Sequence, residues 1–187
     1  NDFYDYIIIG TGAGGGTILN VLAATGKNIL VIERGDFLPK EKENWNTQAV
    51  FNQERYHTEE QWYDENDKLF RPGTGYWVGG NTKVYGAALF RLRERDFEEV
   101  IHHGGISPEW PLKYNDFEPY YEKAEALYHV HGLKGQDPTE PYMRSPYPFQ
   151  PVSHEPKIKE LSEKLSAEGL KPFYIPLGVK LNTTLQD

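Results

Sequence analysis

The 187-residue chain is long enough for one domain with a buried core, or for a domain and part of a second. Its net charge of −8 disfavours a nucleic-acid partner, and the absence of cysteine excludes disulfides, thiol chemistry and a cysteine zinc site from this stretch. The aromatic content of 14% is high, which indicates a folded rather than a disordered protein. Because no apolar run could span a bilayer and no signal peptide precedes the first predicted strand, we expect a cytoplasmic protein without a membrane segment.

The first 35 residues predict a strand, a helix and a second strand. Residues 4–10 form an apolar run that ends in glycine, which is typical of a buried parallel strand. Residues 15–25 predict a helix that ends at Gly26, and residues 28–33 predict a second buried strand. The predicted apolar side of the helix carries Ile18, Leu19, Leu22 and Ala23. Because the three elements fit within about 30 residues, we interpret them as a βαβ unit.

A glycine-rich turn connects the first predicted strand to the helix. The sequence Gly10-Thr-Gly12-Ala-Gly14-Gly15, the first glycine passage, satisfies G-x-G-x-x-G with a strand before it and a helix after it. In this pattern Gly10 allows the turn, Gly12 lets the backbone approach a pyrophosphate, and Gly15 lets the helix pack closely on the sheet. The pyrophosphate would then lie on the N–H groups at the positive end of the helix dipole.

Glu33 ends the second predicted strand, about 20 residues after the glycine turn, where dinucleotide-binding proteins carry an acid. Its carboxylate could accept hydrogen bonds from the two ribose hydroxyls of adenosine, and it would repel the 2′-phosphate of NADP. Strand, glycines, helix, strand and acid in register therefore predict a dinucleotide site, whereas the alternative is a tight turn beside an exposed carboxylate. In many FAD enzymes the second strand ends in Glu-Arg-Gly close to the N-terminus, as it does at residues 33–35.

The next forty residues lack a clear pattern. Residues 36–75 are polar and aromatic without clean periodicity, and we expect a covering segment that lies across the cofactor or the subunit surface. The second glycine passage, Val78-Gly79-Gly80-Asn81-Thr82, pairs glycines with small polar residues. Such a loop can point backbone N–H groups at an anion or at the edge of a flavin.

The remaining predicted elements are mostly helical. We expect a short helix over residues 96–101 and a longer one over residues 115–128, capped by Asn115 with Glu118 in a capping box. The longer helix has an apolar side made of Phe117, Tyr121, Ala124 and Tyr128. Five prolines predict a loop or linker over residues 134–151. Residues 155–170 predict a final amphipathic helix with Pro156 near its start and Gly169 at its end.

The two glycine passages and the residues after them resemble the glucose–methanol–choline (GMC) oxidoreductases. Those enzymes carry a Gly-Gly-(Ser/Thr)-rich loop along the flavin and pyrophosphate, followed by a Trp…Tyr…Pro-Tyr-Tyr…Glu pattern. Here that pattern is Trp110, Tyr114, Pro119-Tyr120-Tyr121 and Glu125. The resemblance runs from about residue 4 to about residue 130. It implies an FAD-dependent enzyme that moves a hydride from the CH–OH carbon of an alcohol or sugar to flavin N5.

Three positions depart from the family pattern. Tyr76 stands where members usually have Arg or Lys, and Tyr85 stands where many have Asn. Val84 occupies the position of the histidine that links FAD covalently in some members, so the resemblance implies noncovalent FAD and a divergent bacterial-type branch. The family's catalytic histidine, with a second His or Asn, lies near the C-terminus of a longer chain. We therefore expect the catalytic residues beyond Asp187 and assign none here.

The predicted fold is α/β, a Rossmann-like FAD/NAD(P)-binding domain with a parallel sheet and a βαβ start, incomplete, with a long covering segment. Residues 1–100 are the expected FAD-binding part, and residues 101–187 are a helical and linker region leading into a substrate domain. The remainder of that domain is an expected partner from the same protein. The expected cofactor-binding residues are Gly10, Gly12, Ala13, Gly14, Gly15, Glu33, Arg34, Gly79, Gly80, Asn81, Thr82, Gly86, Ala87 and Ala88.

Two other functions remain open on the sequence, an NAD-dependent dehydrogenase and a non-catalytic nucleotide-binding fragment. The histidine pairs at residues 102–103 and 129–131 lack a carboxylate at ligand spacing, so we expect polar surface or loop residues and no metal site. Arg91, Arg93 and Arg95 alternate as on one face of a strand. We interpret them as a solvated, acid-paired face rather than a phosphate site.

Overall fold

The computed structural model describes residues 3–181, and the chain divides into two compact units between Gly86 and Ala87. This division lies earlier than the boundary predicted at residue 100, because residues 87–93 bond within the second unit. The Leu89 N–H donates to Pro176 O over 2.9 Å, and Arg91 pairs with Glu125. Residues 182–187, the end of the predicted second region, lie outside the described residues.

The first unit opens with the predicted βαβ arrangement. Strand β1 (Tyr6–Ile9) pairs in parallel with strand β2 (Ile29–Ile32), and helix α1 (Ala13–Leu22) connects them. A 3₁₀ turn over Ala23–Thr25 follows the helix, and Gly26 ends it in the left-handed region, with φ 70°. The parallel pair and its helix confirm the predicted βαβ unit, with the helix starting and ending slightly earlier than predicted.

The two strands are less buried than their apolar composition predicts. Ile8 is buried, but Ile7 is 60% and Ile9 83% exposed, and no residue of α1 is buried. Among residues 3–181 this parallel sheet has two strands, so no third strand flanks it there. The burial that the sequence predicts for these two strands is therefore not reached within the described residues.

Residues 36–75, which lack clean periodicity, nevertheless contain short elements of regular structure, and their role as a covering segment remains a prediction. A 3₁₀ turn (Lys42–Trp45), a π-helical turn (Gln48–Asn52) and an antiparallel hairpin of β3 (Trp62–Tyr63) and β4 (Leu69–Phe70) occur there. Asp64 closes the hairpin, because its carboxylate accepts the N–H groups of Asn66 and Lys68. Periodicity missed these elements because each is shorter than one amphipathic repeat.

The second unit begins with a 3₁₀ turn over Glu94–Phe97, followed by a hairpin of β5 (Val100–His102) and β6 (Gly105–Ser107). The helix predicted over residues 96–101 is therefore wrong beyond Phe97, because the chain reverses at His103 and Gly104 and pairs with itself. Phe97 is fully buried and lies within 6.3 Å, centre to centre, of the rings of Trp110, Tyr114 and Phe117.

Helix α2 (Tyr114–Leu127) is the predicted long helix, but its cap differs from the prediction. Lys113 is the N-cap, and its N–H donates to Asp116 Oδ2 over 2.8 Å. Glu118, the predicted capping residue, is instead buried on the inner side of the helix, where it meets basic partners. The buried side of the helix carries Tyr114, Glu118 and Glu125. Because these residues are polar, a search for apolar residues at helical spacing does not identify them.

Short strands and a third helix complete the second unit. Strand β7 (Val130–His131) pairs antiparallel with β8 (Leu177–Gly178), and residues 134–151 are loop, as predicted. Helix α3 (Pro156–Ala167) starts at a proline and ends before Gly169, whose φ is 82°, which confirms both predicted boundaries to within a few residues. Of the helices in residues 3–181, none combines the length and the apolar character needed to cross a membrane.

Candidate functional site

The first glycine passage forms the turn between β1 and α1. Gly10 has φ +88° at the end of β1, and its N–H donates to Ile32 O over 2.7 Å. Gly12 is the N-cap of α1, no side chain caps that end, and the first turn carries no acidic residue. The positive end of the helix is thus not neutralised by side chains of the helix itself, as an anion site requires.

The glycines of this passage serve two different needs. A Cβ on Gly15 would lie 1.9 Å from Gly10 O, so the close packing of α1 on β1 excludes any side chain there. Around Gly12 and Gly14 a Cβ would meet no atom within 4 Å, and Gly12 has an ordinary φ of −63°. Nothing in the described protein requires glycine at these two positions, whereas a ligand lying against the backbone would. Ala13, the first residue of α1, is the other small residue of the same turn.

The carboxylate of Glu33 fastens the glycine turn to the end of β2. Its Oε2 accepts the Thr11 hydroxyl over 2.5 Å and the Thr11 N–H over 2.8 Å, and its Oε1 accepts the N–H groups of Arg34 and Gly35 over 2.8 and 3.0 Å. These bonds, that from the Thr11 side chain above all, lower the pKa of Glu33 to about 2. Glu33 is thus bound to four protein donors that favour its ionised form, and its contact with ribose hydroxyls remains a prediction.

The second glycine passage lies directly against the first. The Gly79 N–H donates to Thr11 Oγ1 over 2.9 Å, and a Cβ on Gly80 would lie 3.2 Å from Gly12 Cα. Gly79 has φ +101° and begins a 3₁₀ turn over Gly80–Lys83. The structure therefore brings together the two passages that the sequence singled out, although 68 positions separate Thr11 from Gly79.

Asn81 and Thr82 stabilise the second passage from within. Asn81 Oδ1 accepts the Gly75 N–H over 2.9 Å and the Thr74 hydroxyl over 3.2 Å, and the Thr82 hydroxyl donates to Gly79 O. Both side chains thus shape the loop itself. Their predicted contact with the cofactor remains a prediction.

A parallel bridge continues the line of β2 into the second passage. Asp36 pairs with Trp77, and the Val78 N–H donates to Asp36 O over 3.0 Å. A Cβ on Gly35 would lie 2.0 Å from Tyr76 O. Gly35 of the Glu-Arg-Gly sequence is therefore required by this close approach of two backbone segments.

The Arg34 side chain lies over an aromatic ring at the edge of the site. Its guanidinium is 3.6 Å from the centre of the Tyr76 ring and forms an ion pair with Glu60 over 3.2 Å. The Tyr76 hydroxyl also donates to Glu60, and this bond is the main reason why the pKa of Glu60 is lowered. The family's basic residue at position 76 is thus replaced here by a tyrosine that supports Arg34.

Three of the expected cofactor-binding residues lie at or beyond the division between the units. Gly86 is the last residue of the first unit, and Ala87 and Ala88 belong to the second. There Ala87 O accepts the Gly178 N–H over 2.8 Å, and Ala88 forms a bridge with Leu177. Their cofactor role remains a prediction.

The arginine cluster and one histidine differ from the sequence interpretation. Arg91 is 3% exposed and binds Glu125 through two bonds of 2.6 and 2.7 Å, so it is acid-paired but not solvated. Residues 91–93 form no strand, and Arg95 lies in the 3₁₀ turn. His131, expected at the surface, is buried, and its Nδ1 lies 2.8 Å from Gln150 O. Within residues 3–181, no three His, Asp or Glu side chains converge as a metal site would require.

Thr11 is a site residue that sequence reasoning missed. The first glycine motif treats its position as variable, so the pattern carries no information on the side chain. Its hydroxyl nonetheless contacts both Glu33 and Gly79, as given above. The available signal was weak: a hydroxyl residue between two glycines, next to a strand that ends in an acid.

Several curated proteins are similar to this chain over most of its length, although no protein-family model matches it. The 6'''-hydroxyparomomycin C oxidase of Streptomyces lividus is 31% identical over 185 residues, covering 94% of this chain and 32% of the relative. Paromamine 6'-oxidase of Streptomyces fradiae is 29% identical with 94% and 31% covered. Oxygen-dependent choline dehydrogenase of Xanthomonas axonopodis pv. citri (strain 306) is 34% identical over 137 residues, covering 65% of this chain and 23% of the relative.

Solved structures share the fold at low sequence identity. An FAD-dependent oxidoreductase from Chaetomium thermophilum superposes with a TM-score of 0.58 at 18% identity, covering 98% of this chain and 35% of that one. Pyridoxine 4-oxidase from Mesorbium loti gives a TM-score of 0.56 at 15% identity, with 95% and 37% covered. The chain thus spans about a third of the length of the curated relatives that match most of it, and these structures support an α/β fold of the kind found in FAD-dependent oxidoreductases.

Proposed function

The chain belongs to the GMC oxidoreductase family over the residues compared, and from this premise we propose that it binds FAD for an enzyme that oxidises a CH–OH group of an alcohol or sugar. One observation carries the proposal: both glycine passages meet at the uncapped N-terminus of α1. Because the relatives are named as a 6'''-hydroxyparomomycin C oxidase, a paromamine 6'-oxidase and a choline dehydrogenase, a polar alcohol is the substrate class we favour.

The residues present fit a pyrophosphate. Open space lies beside Gly12 and Gly14, where the protein itself does not demand glycine, and the adjacent helix end presents N–H groups with no acidic residue in the first turn of α1. In this proposal the backbone of α1 binds the phosphates, and the second passage closes one side of the same space through Gly80. When bound, FAD supplies the ring whose N5 accepts a hydride from the substrate.

Glu33 orients the adenosine half of the nucleotide in this proposal. Its lowered pKa keeps the carboxylate ionised at neutral pH, so it can accept hydrogen bonds from ribose hydroxyls and repels a 2′-phosphate. Its four present donors hold it at the end of β2, beside the glycine turn. Specificity for FAD or NAD over NADP would follow from that placement.

The mode of attachment and the finer fold are part of the same proposal. Val84 has no nucleophilic ring nitrogen, so FAD is held noncovalently at this position. β1, α1 and β2 would open a Rossmann-like sheet, and the catalytic base would come from residues outside these 187. The parallel register of β1 and β2 supports this assignment.

The test is the flavin content of the purified protein. We expect a yellow protein that releases FAD into solution on denaturation, with no flavin left on the precipitated chain. Gly12→Val should lose the flavin while its far-ultraviolet circular dichroism is unchanged, because the new side chain enters open space where the pyrophosphate lies. Gly104→Val is the matched control, because Gly104 lies in the β5–β6 turn of the other unit and its Cβ would meet only the His102 ring, at 3.7 Å.

A colourless protein that binds NAD would contradict the proposal, and so would normal flavin content in Gly12→Val. Flavin that remains on the denatured chain would contradict noncovalent attachment alone. These three outcomes separate the cofactor, its site and its linkage.

A further inference from the structure

Thr11 is the point at which three distant parts of the first unit meet. Its hydroxyl donates to Glu33 Oε2 over 2.5 Å and accepts the Gly79 N–H over 2.9 Å. A hydroxyl has one proton to donate and lone pairs with which to accept, so a single side chain serves both partners. The two bonds connect the β1–α1 turn with the end of β2 and with the second glycine passage.

The other groups at this junction cannot replace the hydroxyl. Gly79 and Gly80 have no side chains, and the remaining donors to Glu33 are backbone N–H groups of its own neighbourhood and of Thr11. Within the part of the chain that the structure describes, the Thr11 hydroxyl bonds both Glu33 and the second passage. Without it, the Gly79 N–H would face an apolar group and Glu33 would lose its shortest bond.

We propose that Thr11 is a positioning residue for the nucleotide, which acts by holding the Glu33 carboxylate and the Gly79 N–H in one fixed arrangement. This inference rests on the proposed function, because the arrangement matters for a ligand that contacts both the carboxylate and the second passage. The lowered pKa of Glu33, caused first by the Thr11 side chain, agrees with the geometry.

The experiment compares Thr11→Val with Thr11→Ser in the purified protein, stripped of flavin and titrated with FAD. Valine keeps the branched shape and the backbone bond but removes the hydroxyl, and serine restores it. We expect Thr11→Val to bind FAD about tenfold to a hundredfold more weakly, since bonds to charged groups are the stronger kind. Thr11→Ser should bind within about threefold of wild type, because it retains both hydroxyl bonds.

The control is Thr25→Val, which also removes a threonine hydroxyl from the first unit. That hydroxyl donates to Leu22 O at the far end of α1, so FAD binding should not change. If Thr11→Val fails to fold, Thr11→Ala removes the same hydroxyl without adding a branched apolar group. Circular dichroism and unfolding temperature are recorded for every variant.

A readout that a purely structural role would not alter is the acid limit of FAD binding. We expect this limit to follow the lowered pKa of Glu33 in wild type, to move to higher pH in Thr11→Val, and to recover in Thr11→Ser. Equal FAD affinity and equal acid limits in wild type and Thr11→Val would overturn the inference. Absence of FAD binding in wild type would instead overturn the proposed function, so the two failures are distinguishable.

Discussion

The glycines of the first passage are needed for different reasons, some for packing within the protein and some, under the proposed function, for a ligand. Gly15 is required by the protein, because any side chain would strike Gly10 O, whereas Gly12 and Gly14 face open space. A motif search gives these positions equal weight, and the atomic surroundings separate them. At the residue scale, the positions where glycine is unnecessary for folding are therefore the ones that indicate a ligand.

Glu33 provides a prediction at the same scale. Its pKa is lowered to about 2, so the stabilisation from its four hydrogen bonds is complete above the ordinary carboxyl pKa of 4.5 and is lost as the pH falls through about 2. Glu33→Gln lacks this ionisation. We expect its unfolding temperature to lie below that of wild type at neutral pH, with the difference shrinking between pH 4.5 and pH 2.

The measurement is calorimetric unfolding of both proteins across that pH range. Glu65→Gln, which alters an exposed residue of the β3–β4 turn, should follow the wild-type curve. A difference between Glu33→Gln and wild type that stays constant down to pH 2 would show that the hydrogen bonds do not depend on the charge of Glu33.

At the scale of elements, helix α2 forms as predicted, but the residues that cap its N-terminus differ from the predicted ones. Asn115 and Glu118 have the spacing of a capping box, but the N-cap is Lys113, whose backbone N–H donates to Asp116 Oδ2. Glu118 is drawn inward because Arg91 and Arg144 lie within ion-pair distance and the Arg144 N–H donates to it over 2.9 Å. That backbone bond is the main reason why the pKa of Glu118 is lowered.

The caps of α2 can be distinguished by substitution. Asp116→Ala should lower the free energy of unfolding by about 1 kcal/mol, because the Lys113 N–H at the start of the helix loses its acceptor. Asn115→Ala, one position earlier and exposed, should change it by less than about 0.5 kcal/mol. Urea unfolding measures the free energy of unfolding of both variants. A larger loss in Asn115→Ala than in Asp116→Ala would show that Asn115 is the cap.

At the scale of the whole molecule, the described chain has two units with different kinds of interior. The first buries Ile8, Ala49, Val50 and Tyr56, and backbone bonds and glycine contacts hold its β1–α1 turn. The second has a compact interior of Phe97, Val130 and Met143, beside an ionic cluster centred on Arg91. Burial is the largest single influence on the pKa of Arg91 and lowers it, but the hydrogen bonds and charges of Glu125 and Tyr114 together raise it above its ordinary value, so Arg91 remains charged.

Arg91→Met tests whether this cluster stabilises the second unit by itself. The variant leaves Glu125 buried without its cation and leaves Glu118 with Arg144 alone, which should cost about 3–5 kcal/mol of unfolding free energy. We expect faster hydrogen exchange in α2 and β7, while β1 and β2 keep the wild-type rate. Arg95→Met, at an exposed position, is the control and should cost less than about 0.5 kcal/mol. Equal loss of protection in both units would show that they unfold together.

The sequence by itself determined the βαβ start, the two glycine passages and the position of Glu33, because these depend on local periodicity and on the backbone freedom of glycine. Only the tertiary structure decided that the two passages meet at Thr11 and that the close approach of Tyr76 O requires glycine at position 35. It also decided that Glu118 pairs with Arg91 and Arg144 instead of capping α2. Such contacts join residues far apart in the chain, and no short-range pattern encodes which hydroxyl or carboxylate will lie within bonding distance. The sequence motifs indicated a nucleotide site, and tertiary packing decided which side chains of that site contact each other.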